Sequence, residues 1–273
     1  MAAWPNSVPP MPSSWKPANR QAARSLVGLL LLGLAACAPI QAAPPATPQV
    51  ITLTYTPALD AWRQAVGRCA LKIPGVGLVV NQVAANQPAL SQADLSLRLD
   101  PAADPALPFR SALGADEIAV IVPADNPLAG PINLADLEVI FGGKQAGWSD
   151  WLKARGTALP APLQVWSYPQ GDDLRDRFYQ AIQPGTAAAP PNPPGLWTAP
   201  DPAAMVEAVG QNPGAVGFVL KSSLARGSEK VRALPLDAAA QAALRLTVTA
   251  AMAVEPQGLL RQLVLCAQTP ANP

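Results

Sequence analysis

Histidine is missing from this chain of 273 residues, and charged and aromatic side chains are scarce. Without histidine there is no Ser-His-Asp triad, no Cys-His pair and no imidazole ligand for zinc. Charged residues make up 14% of the chain and aromatic residues 5%, and no basic stripe of the kind that binds nucleic acid is present. Much of ordinary hydrolase and zinc chemistry is therefore excluded, and no nucleic-acid partner is expected.

The N-terminal segment combines basic residues with a short apolar run. Lys16, Arg20 and Arg24 stand in a stretch without acidic residues, and mostly apolar residues follow over 26–34. A helix that spans a bilayer takes roughly 20 residues, so this run is too short and is typical of a secretory signal. An uncleaved anchor or a buried helix is the alternative. Translation starts at Met1 or at Met11.

The apolar run ends in Leu-Ala-Ala-Cys at residues 34–37, which resembles the lipobox of bacterial lipoproteins. The resemblance implies that residues 1–36 are a cleaved signal peptide and that Cys37 carries lipid. A Pro/Ala-rich stretch completes the segment 37–49 and predicts a semi-rigid linker. We therefore expect an exported protein that lipid anchors to the outer face of the cytoplasmic membrane.

The two remaining cysteines indicate a disulfide. Removal of residues 1–36 leaves 237 residues, enough for one large domain or two lobes. Cys69 and Cys266 are an even pair in an oxidising compartment. Each lies on the apolar face of a predicted amphipathic helix, so the two could meet across one core. Two free buried cysteines are the alternative.

Short strands alternate with helices along the mature chain. This alternation predicts an α/β fold with parallel or mixed sheets and helices on both faces. A shift toward Pro, Gly and Trp after residue 124, and a strand and helix near the C terminus, predict lobe one at 50–123 and 221–273 and lobe two at 124–220. The predicted strands lie near 51–55, 77–81, 94–99, 118–122, 215–219 and 246–250. The predicted helix caps are Thr56, Asn133 with Asp136, Asp172 or Asp173, and Asp201.

Part of the chain is similar to the phosphate-binding proteins of bacterial phosphate importers. The similarity lies in the apolar strand and Asn-Pro turn of 118–128, in the Ile-Phe-Gly-Gly-Lys that ends 133–144, and in Trp-Ser at 148–149. Gly-Ala-Val-Gly-Phe at 214–218 resembles the strand that follows in that family. The resemblance covers residues 116–219. It implies a two-lobed type II periplasmic-binding-protein fold with a central cleft, which usually does no chemistry.

The resemblance also implies where a ligand would bind, and there the sequence departs from the family. The corresponding positions are Thr56, Asp100, Asp172, Asp173 and Arg175. Two carboxylates replace the family's Ser-Gly-Thr, and they would repel an anion, so we do not expect tight phosphate binding. The aspartates could bind a cation or an amine, or could only cap their helix. Arg175 could contact a ligand or pair with Asp172.

The expected function is that of a lipid-anchored extracytoplasmic solute-binding protein, phosphate-binding-protein-like, which delivers a small molecule or ion to an ABC importer. A binding-fold lipoprotein acting as a sensor or adaptor is the first alternative, and an adhesion or structural lipoprotein is the second. We expect a monomer without enzymatic activity, cofactor or metal. Four aromatic residues could stack on the ligand or fill the core: Trp148, Trp151, Trp166 and Tyr168.

Overall fold

A computed structural model of the chain describes residues 48–84, 93–99, 105–142, 146–158, 161–184, 196–224 and 229–268, without the side chains of 146–148. The signal segment 1–36, Cys37, most of the linker and Asp100 lie outside the described residues. The chain divides into two units at residue 45, and everything below concerns the second unit. None of the helices in the described ranges is long and apolar enough to cross a membrane.

The strands of the described residues form one mixed sheet. They are β1 (Gln49–Tyr55), β2 (Val76–Gln82), β3 (Leu95–Leu99), β4 (Phe109–Pro123), β5 (Gln164–Ser167), β6 (Leu196–Thr198), β7 (Ala215–Leu220), β8 (Val231–Ala233) and β9 (Arg245–Met252). Their order is β2-β1-β3-β9-β4-β7-β5-β6, with β8 also paired to β4. The predicted α/β class with parallel or mixed sheets is confirmed.

The helices of the described residues are α1 (Asp60–Lys72), α2 (Leu134–Phe141), α3 (Ala146–Ala154), α4 (Asp173–Ile182), α5 (Pro202–Gln211), α6 (Lys221–Leu224), α7 (Ala238–Ala243) and α8 (Gly258–Gln268), and a 3-10 turn (Pro57–Leu59) precedes α1. Among them, α2, α4 and α5 begin at caps that the sequence predicted. The Asn133 side chain accepts from the Asp136 N–H at 2.8 Å, and the Asp136 carboxylate accepts from the Asn133 N–H at 3.0 Å. The predicted capping box is therefore present.

Strand β4 belongs to both halves of the sheet. Its first part pairs antiparallel with β9, and its last part pairs antiparallel with β7 and β8. Strand β9 also pairs antiparallel with β3. The outer pairings are parallel, β1 with β2 and β3, and β5 with β6 and β7. The sequence predicted a strand only over 118–122, because Arg110, Ser111 and Gly114 interrupt the apolar pattern ahead of it.

The proposed lobe boundaries remain predictions. The strand pairings show which half of the sheet the segment after β7 joins. An isolated bridge between Ile132 and Leu236 continues the pairing of β8 with the end of β4. Residues 231–236 therefore lie beside the second half of the sheet, and the chain rejoins the first half at β9.

Each half of the sheet has its own packed cluster of side chains. Helix α1 buries Trp62, Val66 and Cys69, and the structure joins Cys69 to Cys266 of α8 by a disulfide with the Cα atoms 5.9 Å apart. In the second half, the Phe178 ring lies 4.7 Å from the Phe141 ring and 4.0 Å from the Phe218 ring, centroid to centroid. Three elements, α2, α4 and β7, are packed together by these rings.

Candidate functional site

Thr56 and Asp173 meet where β1 and α4 approach each other. Thr56 is fully buried, and its hydroxyl donates to Asp173 Oδ2 at 2.8 Å across 117 positions of the chain. Thr56 stands at the predicted N-cap position, with Pro57 at the first position of the 3-10 turn, but its side chain makes no capping hydrogen bond. Its hydroxyl is instead a donor to the Asp173 carboxylate.

The N-terminus of α4 carries the two aspartates that replace the family's Ser-Gly-Thr. Gly171 has a φ of +85°, which favours glycine and turns the chain into the helix. Asp172 is the cap, and its Oδ1 accepts from the Arg175 N–H at 3.0 Å. Asp173 is the first helical residue; its Oδ1 accepts from the Leu174 N–H at 2.9 Å, which leaves Oδ2 for Thr56.

Both carboxylates are harder to ionise than ordinary aspartates. Burial and, after it, the neighbouring Asp173 charge raise the pKa of Asp172 to about 7, against the opposing hydrogen bonds from the helix N–H groups. Burial also raises the pKa of Asp173, although the side chain keeps some accessible surface, and the Thr56 hydrogen bond and the Arg98 charge oppose the rise. None of the ion pairs between described residues includes Asp172 or Asp173.

The Arg175 side chain contacts other residues of α4. Its side chain is fully buried, with the guanidinium carbon 4.9 Å from the centre of the Tyr179 ring and Nη1 3.5 Å from Asp176 Oδ1. The ion pair that we considered with Asp172 is therefore formed with Asp176. The structure brings together Thr56, Asp172 and Asp173, and a ligand contact of Arg175 stays a prediction.

A cavity of 540 Å³ begins one residue after Thr56, between the start of α1 and the start of α5. Its volume lies in the range of small-molecule sites, roughly 300–1,000 Å³. The carboxylates of Asp60, Asp201 and Glu207 line it, and Lys230 is the one cation among the lining residues. Pro202 at the start of α5 contributes apolar surface, as do Pro57, Ala61, Ala203 and Val206.

Tyr168 lies directly after β5 in the packed interior. The side chain is 1% exposed, and its hydroxyl has no hydrogen-bond partner among the residues that the structure describes. Burial raises its pKa well above the usual value, and the charges of Asp172 and Asp201 add to the rise.

The other aromatic candidates lie in packed positions. Trp166 stacks on Trp197 with the ring centroids 5.5 Å apart, and the Trp151 indole donates to Asp136 at 2.7 Å. The Trp148 side chain is outside the described residues.

Sequence reasoning missed two acidic residues. Asp201 was assigned only as a cap, which it is, accepting from the Ala204 N–H at 2.8 Å, but it also lines the cavity. Asp116 accepts from the Trp62 indole at 2.8 Å and from the Ser222 N–H at 3.3 Å, and so ties α1 to α6. The sequence signal for Asp116 was its position just ahead of the apolar run of β4, where a carboxylate is close to the core. Across the described ranges, no cluster of three or more Asp, Glu or Cys could hold a metal.

The fold matches solved structures of binding proteins at low sequence identity. One is a phosphate ABC transporter substrate-binding protein with bound phosphate from Clostridium perfringens (TM-score 0.63, 15% identity, 80% of this chain and 92% of that chain covered). Another is an ABC-type phosphate transport receptor from Vibrio cholerae (TM-score 0.58, 14% identity, coverage 82% and 95%). The reduced OxyR regulatory domain from Pseudomonas aeruginosa also matches (TM-score 0.56, 12% identity, coverage 80% and 96%).

These similarities define the class of the molecule by its architecture. The chain has the type II periplasmic-binding-protein fold, as its resemblance to phosphate-binding proteins implied. No family model matches the sequence, and no curated protein matches it either.

Proposed function

We propose that this protein is an extracytoplasmic solute-binding protein, with a binding cleft between lobe one (50–123 and 221–273) and lobe two (124–220). The Thr56–Asp173 contact carries the proposal, because it joins the end of β1 to the start of α4 beside a 540 Å³ cavity. In open α/β sheets, ligands bind outside the carboxyl ends of the parallel strands. The ligand is small, the protein acts as a monomer, and it needs no cofactor or catalytic residue.

Delivery to an ABC importer is part of the proposal. Its support is the fold shared with the two phosphate transport proteins. The lipid on Cys37 would hold the protein at the outer face of the cytoplasmic membrane, and the linker to residue 49 would give the lobes reach to a permease. The support for this anchor is the Leu-Ala-Ala-Cys sequence after a basic and apolar leader.

Native mass spectrometry of the purified protein tests solute binding. We expect a co-purified small molecule that is lost on denaturation. A protein that carries no ligand and binds none from a panel of metabolites would contradict the proposal.

Metabolic labelling with a clickable palmitate tests the anchor separately. The wild type should be labelled and Cys37→Ser should not be. Equal labelling of both proteins would contradict lipidation of Cys37 and would leave solute binding to be judged by mass spectrometry.

A sensor or adaptor role is the second candidate, and one observation favours it. The Asp173 carboxylate fills the hydrogen-bonding position opposite Thr56 with a group of the chain itself. The same architecture occurs in a regulatory domain, that of OxyR. Crosslinking in membranes separates the two roles, because an importer subunit is captured by a transport protein and a signalling protein by a sensor.

A further inference from the structure

Four exposed apolar side chains lie at one end of the first half of the sheet, the half formed by β1, β2, β3, β9 and the start of β4. They are Val50, Leu71, Phe109 and Val254, with exposed fractions between 38% and 90%. Exposed apolar side chains are common when they are scattered singly. These four are informative because the topology of the sheet brings them to the same end.

The strand pairings define this end. Strands β1, β2 and β3 are parallel and begin here. Strand β9 is antiparallel to β3 and ends here, where Met252 pairs with Phe109 at the start of β4. Val50 is the second residue of β1, and Val254 stands two residues beyond β9. Three of the four apolar side chains are therefore spread along the end of the sheet.

Helix α1 ends at the same place. The Gln49 N–H donates to the Gly75 carbonyl at 2.8 Å, which joins the start of β1 to the turn that follows α1. Leu71 is in the last turn of α1 and is 90% exposed. A leucine with so little cover at the end of a helix adds an apolar side chain that nothing in the described chain buries.

The charge on the α1 side of this end is positive. Arg68 and Lys72 are exposed on the last turns of α1, and the sequence has no acidic residue from 61 to 93. The acidic residues Asp94 and Glu255 stand before β3 and after β9. Basic side chains next to exposed apolar ones are the combination that binds anionic lipid surfaces.

The proposed anchor places a bilayer beside this end. The described chain starts at Pro48, one residue before β1, and the eleven residues 38–48 separate β1 from Cys37. A Pro-rich extended linker rises about 3.1 Å per residue, so this one reaches about 35 Å at most. A short tether gives effective concentrations on the order of millimolar, so even a weak contact with the membrane surface is populated.

We propose that this end of the molecule docks on an anionic phospholipid bilayer, with Leu71 among the headgroups and Arg68 and Lys72 against the lipid phosphates. The inference rests on the lipid anchor of the proposed function and adds how the anchored protein lies on the membrane. Pro57 and Gln82 line the cavity at the opposite ends of β1 and β2. The docked protein therefore presents its cavity on the side away from the lipid.

The lipidated protein, reconstituted in vesicles of phosphatidylethanolamine and phosphatidylglycerol, tests the proposal. A fluorophore on Leu71→Cys reports contact through quenching by lipids that carry a doxyl group near the headgroup. The matched control carries the fluorophore on Ala84→Cys, which is exposed two residues beyond the other end of β2. We expect quenching at position 71 to exceed quenching at position 84 by about threefold or more, because only one end of the strand meets the lipid.

Charge reversal tests the basic part of the surface. Arg68→Glu with Lys72→Glu should lower the quenching at position 71 by about threefold or more, since each basic residue near an anionic surface favours the contact. Salt at about 1 M should act in the same direction by screening. Lys153→Glu with Arg245→Glu makes the same change of charge at exposed positions elsewhere and should leave the quenching within about twofold. Melting curves check that all variants fold.

The outcomes separate the docking from the anchor. Equal quenching at positions 71 and 84, or quenching at neither, in protein that the vesicles retain would overturn the docking and keep the anchor. Protein that the vesicles do not retain would overturn both, and solute binding would still be judged by mass spectrometry. Protection of position 71 that follows the density of protein and not the charge of the lipid would indicate contact between copies and would also overturn the proposal.

Discussion

At the residue scale, two neighbouring aspartates have different tasks. Asp172 caps α4, whereas Asp173 reaches out of its own helix to Thr56. The sequence left open which aspartate is the cap, because either spacing allows a hydrogen bond to a free N–H of the first turn. Gly171 decides the matter, since the chain turns at a positive φ one residue before Asp172.

The raised pKa of Asp172 predicts the pH dependence of stability. A carboxyl whose pKa is about 7 in the folded state and 3.8 in the unfolded state favours folding at low pH. This contribution is fully present below pH 3.8 and is lost as the pH rises through about 7. Asp172→Asn cannot ionise and keeps the cap, so at about pH 8 it should be more stable than the wild type by up to about 4 kcal/mol, the equivalent of about three pKa units.

Urea unfolding at about pH 5 and pH 8 checks this prediction. The gap in unfolding free energy between the variant and the wild type should widen toward the higher pH. Asp237→Asn is the control for the change of cap chemistry at another helix. Parallel pH profiles for Asp172→Asn and the wild type would contradict a strongly raised pKa.

At the element scale, the close packing of β7 on α5 depends on a residue without a side chain. A Cβ atom built on Gly217 would lie 2.5 Å from Met205 Sδ and 3.0 Å from Val209 Cγ2. Both neighbours are fully buried, so neither can move into open space. The helix that carries Asp201 into the cavity is therefore seated on the strand through Gly217.

Gly217→Ala should destabilise the protein by about 1–3 kcal/mol, because overpacking a core displaces its neighbours. Gly67 gives the matched control: it lies inside α1, and a Cβ there would have nothing within 4 Å. Gly67→Ala should stabilise the protein by about 0.5–1 kcal/mol through helix propensity. Chemical denaturation measures both, and equal effects of the two changes would contradict the packing argument.

At the scale of the whole molecule, the chain closes on itself through α1 and α8. The Cys69–Cys266 bond spans 197 positions, and β9 lies between β3 and β4 in the sheet. The last part of the chain is thus built into the same half as the first. That arrangement agrees with the predicted order of lobe one, lobe two and lobe one again, whose boundaries remain to be tested.

Removal of the disulfide should lower stability substantially. In the chain-entropy model, a loop of this length contributes about 5 kcal/mol, which corresponds to a fall of about 10–20 °C in Tm for a domain of this size. Melting with and without reductant measures the effect. The double variant Cys69→Ala with Cys266→Ala should melt low and show no further response to reductant.

A thiol count gives an independent check of the bond. The non-reduced peptide map should contain the linked pair. Two alkylatable thiols at Cys69 and Cys266 in the unreduced, unfolded protein would rule the bond out.

The sequence by itself determined the elements that depend on local chemistry. Asn133 and Asp136 identify the start of α2, and the apolar spacing around Cys69 identifies the buried face of α1, because caps and helix faces involve residues only three or four positions apart. Strands β3, β7 and β9 were predicted for the same reason, since alternation or an unbroken apolar run marks a strand locally.

Only the tertiary structure decided what depends on distant partners. The Thr56 hydroxyl donates to the Asp173 carboxylate, which lies 117 positions away in the sequence. The first half of β4 has no apolar pattern of its own and is a strand because β9 pairs with it. The cavity between α1 and α5 exists because segments remote in sequence face each other, and a pattern of short period carries no information about such meetings.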